Sequence, residues 1–133
     1  MSAGLSHTIT DLLGATATEG SFPAAFVCTD DGLVIASAVD GAAVDMTAAV
    51  VSLFDDVLLR ATRDLHFSEV DEVTLVDPVA GRLVIRPLPI DGGPVFFLVV
   101  QVPKKATWRR HTNNLRRRLV PILQPLAHGE VEL

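Results

Sequence analysis

The sequence has no tyrosine and only one cysteine and one tryptophan among its 133 residues. Because Cys28 is alone, no disulfide can form within the chain, and its place in the apolar run AAFVC predicts a buried thiol. No apolar run approaches the roughly 18 residues of a membrane-spanning helix, and the N-terminus lacks the basic start and apolar stretch of a signal peptide. We therefore expect a cytoplasmic protein that does not insert into a membrane.

Motifs for metal, nucleotide or catalytic chemistry are missing as well. The four histidines stand singly, without the paired spacing of a zinc site, and Asp30 and Asp31 lack the further spaced oxygen ligands of a calcium loop. No GxxxxGK[ST] phosphate loop is present, and no nucleophile, base and orienting group can be assembled from the spacing. We expect no metal, no cofactor and no enzymatic activity.

Positive charge is scarce outside one segment. The chain has 11 basic residues against 16 acidic ones and a net charge of -5, yet seven of the basic residues fall in KKATWRRHTNNLRRR, residues 104–118. This basic helix has two interpretations: a solvated helix that balances an acidic body, or a surface for nucleic acid or an anionic membrane. A dedicated nucleic-acid binder is usually basic across the whole domain, which favours the first interpretation.

The abundant residues are aliphatic, and they predict one globular domain over 1–133 with a five-stranded antiparallel sheet. AAFVCT and GLVIASAV flank the turn Asp30-Asp31-Gly32, which predicts a hairpin of strands at 24–29 and 32–39. EVTLVD, RLVIRPL and VFFLVVQV, at 72–77, 82–88 and 95–102, predict a three-stranded meander. The first and last strands are apolar on both faces and belong at the centre, so the predicted order is 2-1-5-4-3.

Helices are predicted on both faces of this sheet. No proline or glycine interrupts residues 42–66, which predicts one long helix whose apolar side chains cover an arc of roughly 160°, wider than one surface requires. A short helix over 5–16 and a last helix over 106–120 are expected on the other face. Pro121 and Pro125 predict an irregular or kinked end to the chain.

The order of these features resembles the roadblock/LC7 family. A strand, the DDG turn, the small-residue strand LVIAS and a long Ala- and Val-rich helix are followed by LVIRPL, VFFLVV and an arginine-bearing helix, and the similarity covers about residues 22–120. The resemblance implies an α/β fold with a five-stranded antiparallel sheet. It also implies a non-enzymatic dimeric adaptor or scaffold of a Ras-like small GTPase, in some bacterial members a GTPase-activating partner.

The sequence supplies candidates for the surface of such an adaptor. The wide apolar arc of the 42–66 helix and an unpaired apolar edge strand both predict a homodimer, in which the resemblance implies that helices pack together and edge strands join. We expect the dimer and the GTPase to use Met46, Val50, Leu53, Val57, Arg60, Val73 and Leu75. The sequence leaves open which flank of the helix faces the sheet.

Overall fold

A computed structural model describes residues 2–39, 42–92 and 95–127, arranged as one antiparallel sheet between two layers of helices. The elements in chain order are α1 (Ser2–Gly20), β1 (Ala24–Thr29), β2 (Val34–Ser37), α2 (Ala42–Val51), α3 (Phe54–Arg63), β3 (Val73–Asp77), β4 (Gly81–Leu88), β5 (Phe96–Val102) and α4 (Arg109–Ala127). The sheet order is β2-β1-β5-β4-β3, with every neighbouring pair antiparallel. The predicted fold class and strand order are confirmed.

The sheet buries both of its faces, because alternate side chains of the central strands point in opposite directions. On β5, Phe96, Leu98 and Val100 belong to the core beneath α1 and α4, whereas Phe97 and Val99 belong to the core beneath α2 and α3. All five side chains are at most 4% exposed. The run of apolar residues that predicted a central strand therefore reflects burial from both sides.

The hairpin turn between β1 and β2 is built by Thr29 as much as by the two aspartates. The Gly32 N–H donates to the Thr29 carbonyl at 3.0 Å, the Leu33 N–H donates to Thr29 Oγ1 at 3.0 Å, and Asp31 accepts the Thr29 hydroxyl. Gly32 has a φ of 90°, which a residue without Cβ adopts freely. Because Gly32 and Leu33 belong to the turn, β2 is shorter than the predicted strand over 32–39.

The predicted single helix over 42–66 is wrong in its continuity, since α2 and α3 are separated at residues 52 and 53. The Leu53 N–H donates to the Val50 carbonyl at 3.1 Å, a bond of the tighter 3₁₀ type. The Ser52 hydroxyl donates to the Ala49 carbonyl at 2.6 Å, a local bond that bends helices. After α3 the chain turns away at His66, which has a φ of 59°, so the helix also ends earlier than predicted.

Both terminal helices are longer than predicted. Instead of ending at residue 16, α1 runs to Gly20, where Ser21 has a φ of 58° and the Phe22 N–H donates to the Ala17 carbonyl at 2.8 Å. α4 begins at Arg109, three residues later than predicted, and continues through Pro121 and Pro125, so the chain there is helical and not irregular. Its buried stripe of Leu115, Leu119 and Leu123 extends past Pro121, and this packing outweighs the lost backbone bond. Residues 128–133 lie outside the described residues.

Candidate partner interface

A stripe of exposed aliphatic side chains runs along the outer side of α2 and α3. Met46 and Leu53 are each 71% exposed, Val57 is 50% exposed and Val50 is 45% exposed. These positions follow one another at spacings of four, three and four residues, so they share one side of the helices across the break. The inner side carries Ala48 and its buried neighbours, which answers the question that the sequence left open about the two flanks.

Arg60 continues the stripe by one further turn. Its guanidinium Nε donates to Asp56 Oδ2 at 2.8 Å, four residues earlier on the same helix, and both side chains are exposed. An exposed pair of this kind contributes only a few tenths of a kcal/mol, about 0.3–0.5, to the helix. Arg60 is therefore free to exchange its partner at a polar rim.

The open edge of the sheet lies beside this stripe. Among the described strands β3 pairs only with β4, with Val73 opposite Ile85 and Leu75 opposite Leu83. Val73 is half-buried against the core beneath α2 and α3, and Leu75 is 40% exposed. Thr47 of α2 and Leu75 line one cavity of about 250 Å³. The structure thus brings the predicted helix and strand residues onto one side of the molecule.

Two exposed apolar residues at this edge were not predicted as part of the interface. Val76 is 71% exposed and Val79, in the turn between β3 and β4, is 86% exposed. The sequence signal was available, because Val76 lies within the strand predicted to be at the edge and Val79 lies in the short loop that follows it. Large apolar side chains at such exposure mark the edge as a place where another chain can pack.

An acidic cluster lies at the junction of the hairpin turn and the start of α3. Burial raises the pKa of Asp55, and the negative charges of Asp30 and Asp56 raise it further. The sequence predicts Asp30 as a residue of the hairpin turn and Asp55 as part of a solvated helix face, so their proximity is a tertiary effect. It adds negative charge beside the break between α2 and α3.

The structure has close counterparts among solved proteins, although no protein-family model and no curated protein matches the sequence. The gliding protein MglB from Thermus thermophilus aligns with a TM-score of 0.75 and 16% identity, covering 94% of this chain and 92% of that one. An MglB with a tetrameric arrangement aligns with a TM-score of 0.73 and 16% identity, covering 96% and 93%. A Roadblock/LC7 domain from Streptomyces avermitilis aligns with a TM-score of 0.66 and 19% identity, covering 86% and 93%.

The chain has the roadblock/LC7 fold. This confirms the fold that the sequence resemblance implied. In this roadblock/LC7 fold, the five-stranded sheet carries the exposed stripe of α2 and α3 on one face and α1 with α4 on the other.

The basic helix predicted over 104–118 is partly committed to contacts within the roadblock/LC7 fold. Arg109 Nη2 and Arg116 Nη1 lie 2.9 and 2.7 Å from the two carboxylate oxygens of Asp71, which precedes β3. Arg110 and Arg118 are exposed, and Arg117 donates to Asn114 on the same helix. The charge of α4 is therefore divided between an internal network and a solvated side.

The described part of the chain has a buried thiol and no cluster of metal-ligating side chains. Cys28 is fully buried, as predicted, and burial raises the pKa of its thiol to about 12. No group of three or more His, Cys, Asp or Glu side chains among the described residues could hold a metal ion. None of the described helices is long and apolar enough to cross a membrane. His128 lies outside the described residues.

Proposed function

We propose that the chain is a homodimeric adaptor that binds a Ras-like small GTPase through the exposed stripe of α2 and α3 and the open edge of β3. The observation that carries the proposal is the stripe itself: Met46, Val50, Leu53 and Val57 are all at least 45% exposed and share one side. An apolar centre beside the charged Arg60 and Asp56 has the composition of a protein interface with a polar rim.

Self-association is supported by the open edge as well as by the helices. A second copy that pairs along β3 would remove an unprotected strand edge and would cover Leu75 and Val76. One structure with the same fold is an MglB with a tetrameric arrangement, which makes self-association of this fold a reasonable model for the present chain.

The GTPase is proposed from the resemblance to the roadblock/LC7 family. An adaptor of this kind changes the nucleotide cycle by ordering the switch segments and catalytic groups of the GTPase itself, so it need not donate a catalytic residue. Acceleration of GTP hydrolysis is the activity to test.

The test compares two similarly exposed leucines, one on the stripe and one in the hairpin turn. Leu53 is 71% exposed on the stripe, and Leu33 is 64% exposed in the hairpin turn. Burying the exposed part of a leucine is worth roughly 1–2 kcal/mol, so losing one in each protomer should weaken a dimer by roughly 30- to 1,000-fold. Leu53→Asp should produce this loss in sedimentation equilibrium, whereas Leu33→Asp should leave the dimer intact. Equal behaviour of the two variants contradicts the proposal.

The GTPase half is tested with the same variants and a Ras-like GTPase from the same genome, in physiological salt. Leu53→Asp should reduce its affinity or the stimulated rate of GTP hydrolysis, and Arg117→Glu on α4 should change neither. Loss of binding with Arg117→Glu alone would move the site to the basic helix. In that case binding to nucleic acid or anionic vesicles should fall linearly with salt on logarithmic axes.

A further inference from the structure

Three arginines from two elements converge on one carboxylate. Asp71 Oδ1 lies 3.0 Å from Arg86 Nη2 and 2.7 Å from Arg116 Nη1, and Asp71 Oδ2 lies 2.9 Å from Arg109 Nη2. Arg86 belongs to β4, and the other two arginines belong to α4. Asp71 therefore links the segment before β3 to both the neighbouring strand and the last helix.

Arg86 cannot easily lose this partner, because its side chain is only 1% exposed. Its Nη1 donates to Thr112 Oγ1 at 2.7 Å and its Nε donates to the Asp71 carbonyl at 3.2 Å. Among the described residues, its carboxylate partners are Asp71 and, more distantly at 3.9 Å, Glu72. A buried guanidinium that loses its carboxylate destabilises the arrangement that holds it.

Glu72 strengthens the same attachment from the next position. Its Oε1 accepts the Trp108 indole N–H at 2.8 Å, and its Oε2 accepts the Thr74 hydroxyl at 2.6 Å. Trp108 precedes α4 and Thr74 lies within β3. The two acidic residues together connect the first residues of the edge strand to the start of α4.

The chain between α3 and β3 has little else to hold it. Every residue from 62 to 69 is exposed, and Val70 is only half-buried. Such a segment gains little from apolar burial, so its position depends on polar contacts. The N–H groups of residues 64, 65 and 67 donate back to carbonyls of α3, which holds the first part of the segment. Its last part is held by the contacts of Asp71 and Glu72, directly before β3 begins at Val73.

We propose that Asp71 is a positioning residue that fastens the start of the edge strand β3 to α4 and so sets whether this edge is ordered for pairing with a second chain. The inference rests on the proposed function, because the edge is useful only if the chain self-associates. It assigns a role to the basic helix that requires no external anion, because Arg109 and Arg116 bind Asp71 and so hold the start of β3 against α4.

The experiment uses Asp71→Asn, which keeps the side-chain shape but removes the charge. Glu69→Gln is the matched control, because it removes the same charge two residues earlier from an exposed side chain. Amide hydrogen exchange at neutral pH should accelerate roughly tenfold or more in residues 73–77 of Asp71→Asn, with little change in β1 and β5. Glu69→Gln should exchange like the wild type.

Self-association is measured on the same samples and against Leu13→Ala, a core variant in α1, which carries none of the arginines bound to Asp71. At an equal loss of thermal stability, Asp71→Asn should weaken the dimer at least tenfold more than Leu13→Ala, and Asp71→Glu should partly restore it. Unchanged exchange in β3, or equal acceleration in all strands, overturns the inference. If the wild type is monomeric the proposed function fails, but exchange in β3 still tests the attachment.

Discussion

The hairpin turn should tolerate no side chain at Gly32, and the substitution Gly32→Ala tests this. Gly32 has a φ of 90°, and a Cβ placed there would lie 3.1 Å from the Ala48 carbonyl oxygen and 3.3 Å from the Ser52 Cβ. Ala48 lies in α2 and faces the core beneath it, and Ser52 lies at the break between α2 and α3. The added methyl group would therefore strain the turn and also press on the helices that carry the exposed stripe.

The expected loss of unfolding free energy has two parts, and a substitution at a second glycine measures one of them alone. Gly92 also has a positive φ, of 67°, but a Cβ there would meet nothing within 4 Å. Gly92→Ala should thus lose only the conformational part, about 1–2 kcal/mol. Gly32→Ala should lose a similar amount and roughly 1 kcal/mol or more for the forced contact with backbone and side-chain atoms, about 2–4 kcal/mol in total.

Denaturant unfolding at one fixed protein concentration measures both losses, since a self-associating chain is stabilised by mass action. Gly32→Ala should also weaken self-association, because Val50 and Leu53 lie beside the break that the methyl group would displace. Equal losses of unfolding free energy for the two variants would show that the close approach to α2 has no energetic consequence. Such a result would refute this account of the DDG turn.

The strands were predictable from the sequence because their signals are local. Alternation and apolar runs mark each strand, and the runs AAFVCT and VFFLVV are apolar on both faces because helices cover both. The short turns between consecutive strands then leave few ways to order them. The exposed stripe was predictable for a similar reason, since the apolar arc of α2 and α3 is too wide for one sheet face to cover.

The ends and the break of the helices were not predictable in the same way. The break at Ser52 depends on a local hydroxyl bond and on the approach of Gly32 from the hairpin turn. The continuation of α4 through two prolines depends on leucines that reach the core only after folding. In both cases tertiary contacts override a local preference, and a single sequence contains only the preference.

The sequence contains one signal for the network around Asp71, which is the position of Arg86 in its strand. Arg86 occupies an inward-facing position of RLVIRPL, between Val84 and Leu88, where an unpaired charge is costly. That position predicts a buried acidic partner, but the partner lies 15 residues away. The arginines of α4 lie still further along the chain, so the sequence favoured a solvated helix that balances an acidic body and did not predict their contacts with Asp71.

Two further predictions follow from the titrating groups of the fold. Because burial raises the pKa of the Cys28 thiol to about 12, a thiol reagent at about pH 8 should label it only after unfolding, and rapid native labelling would contradict its burial. Hydrogen bonds from Arg116 and then from Arg109 and Arg86 lower the pKa of Asp71 below its ordinary 3.8, so its stabilising contribution is complete above that pH and is lost as pH falls through the folded-state value. The wild type should therefore have a larger free energy of unfolding in urea than Asp71→Asn at about pH 7. This margin in unfolding free energy should shrink steadily on acidification below about pH 4, as Asp71 becomes protonated in both the folded and unfolded states. A margin unchanged down to about pH 2 would mean that the charge of Asp71 contributes nothing to the attachment of β3.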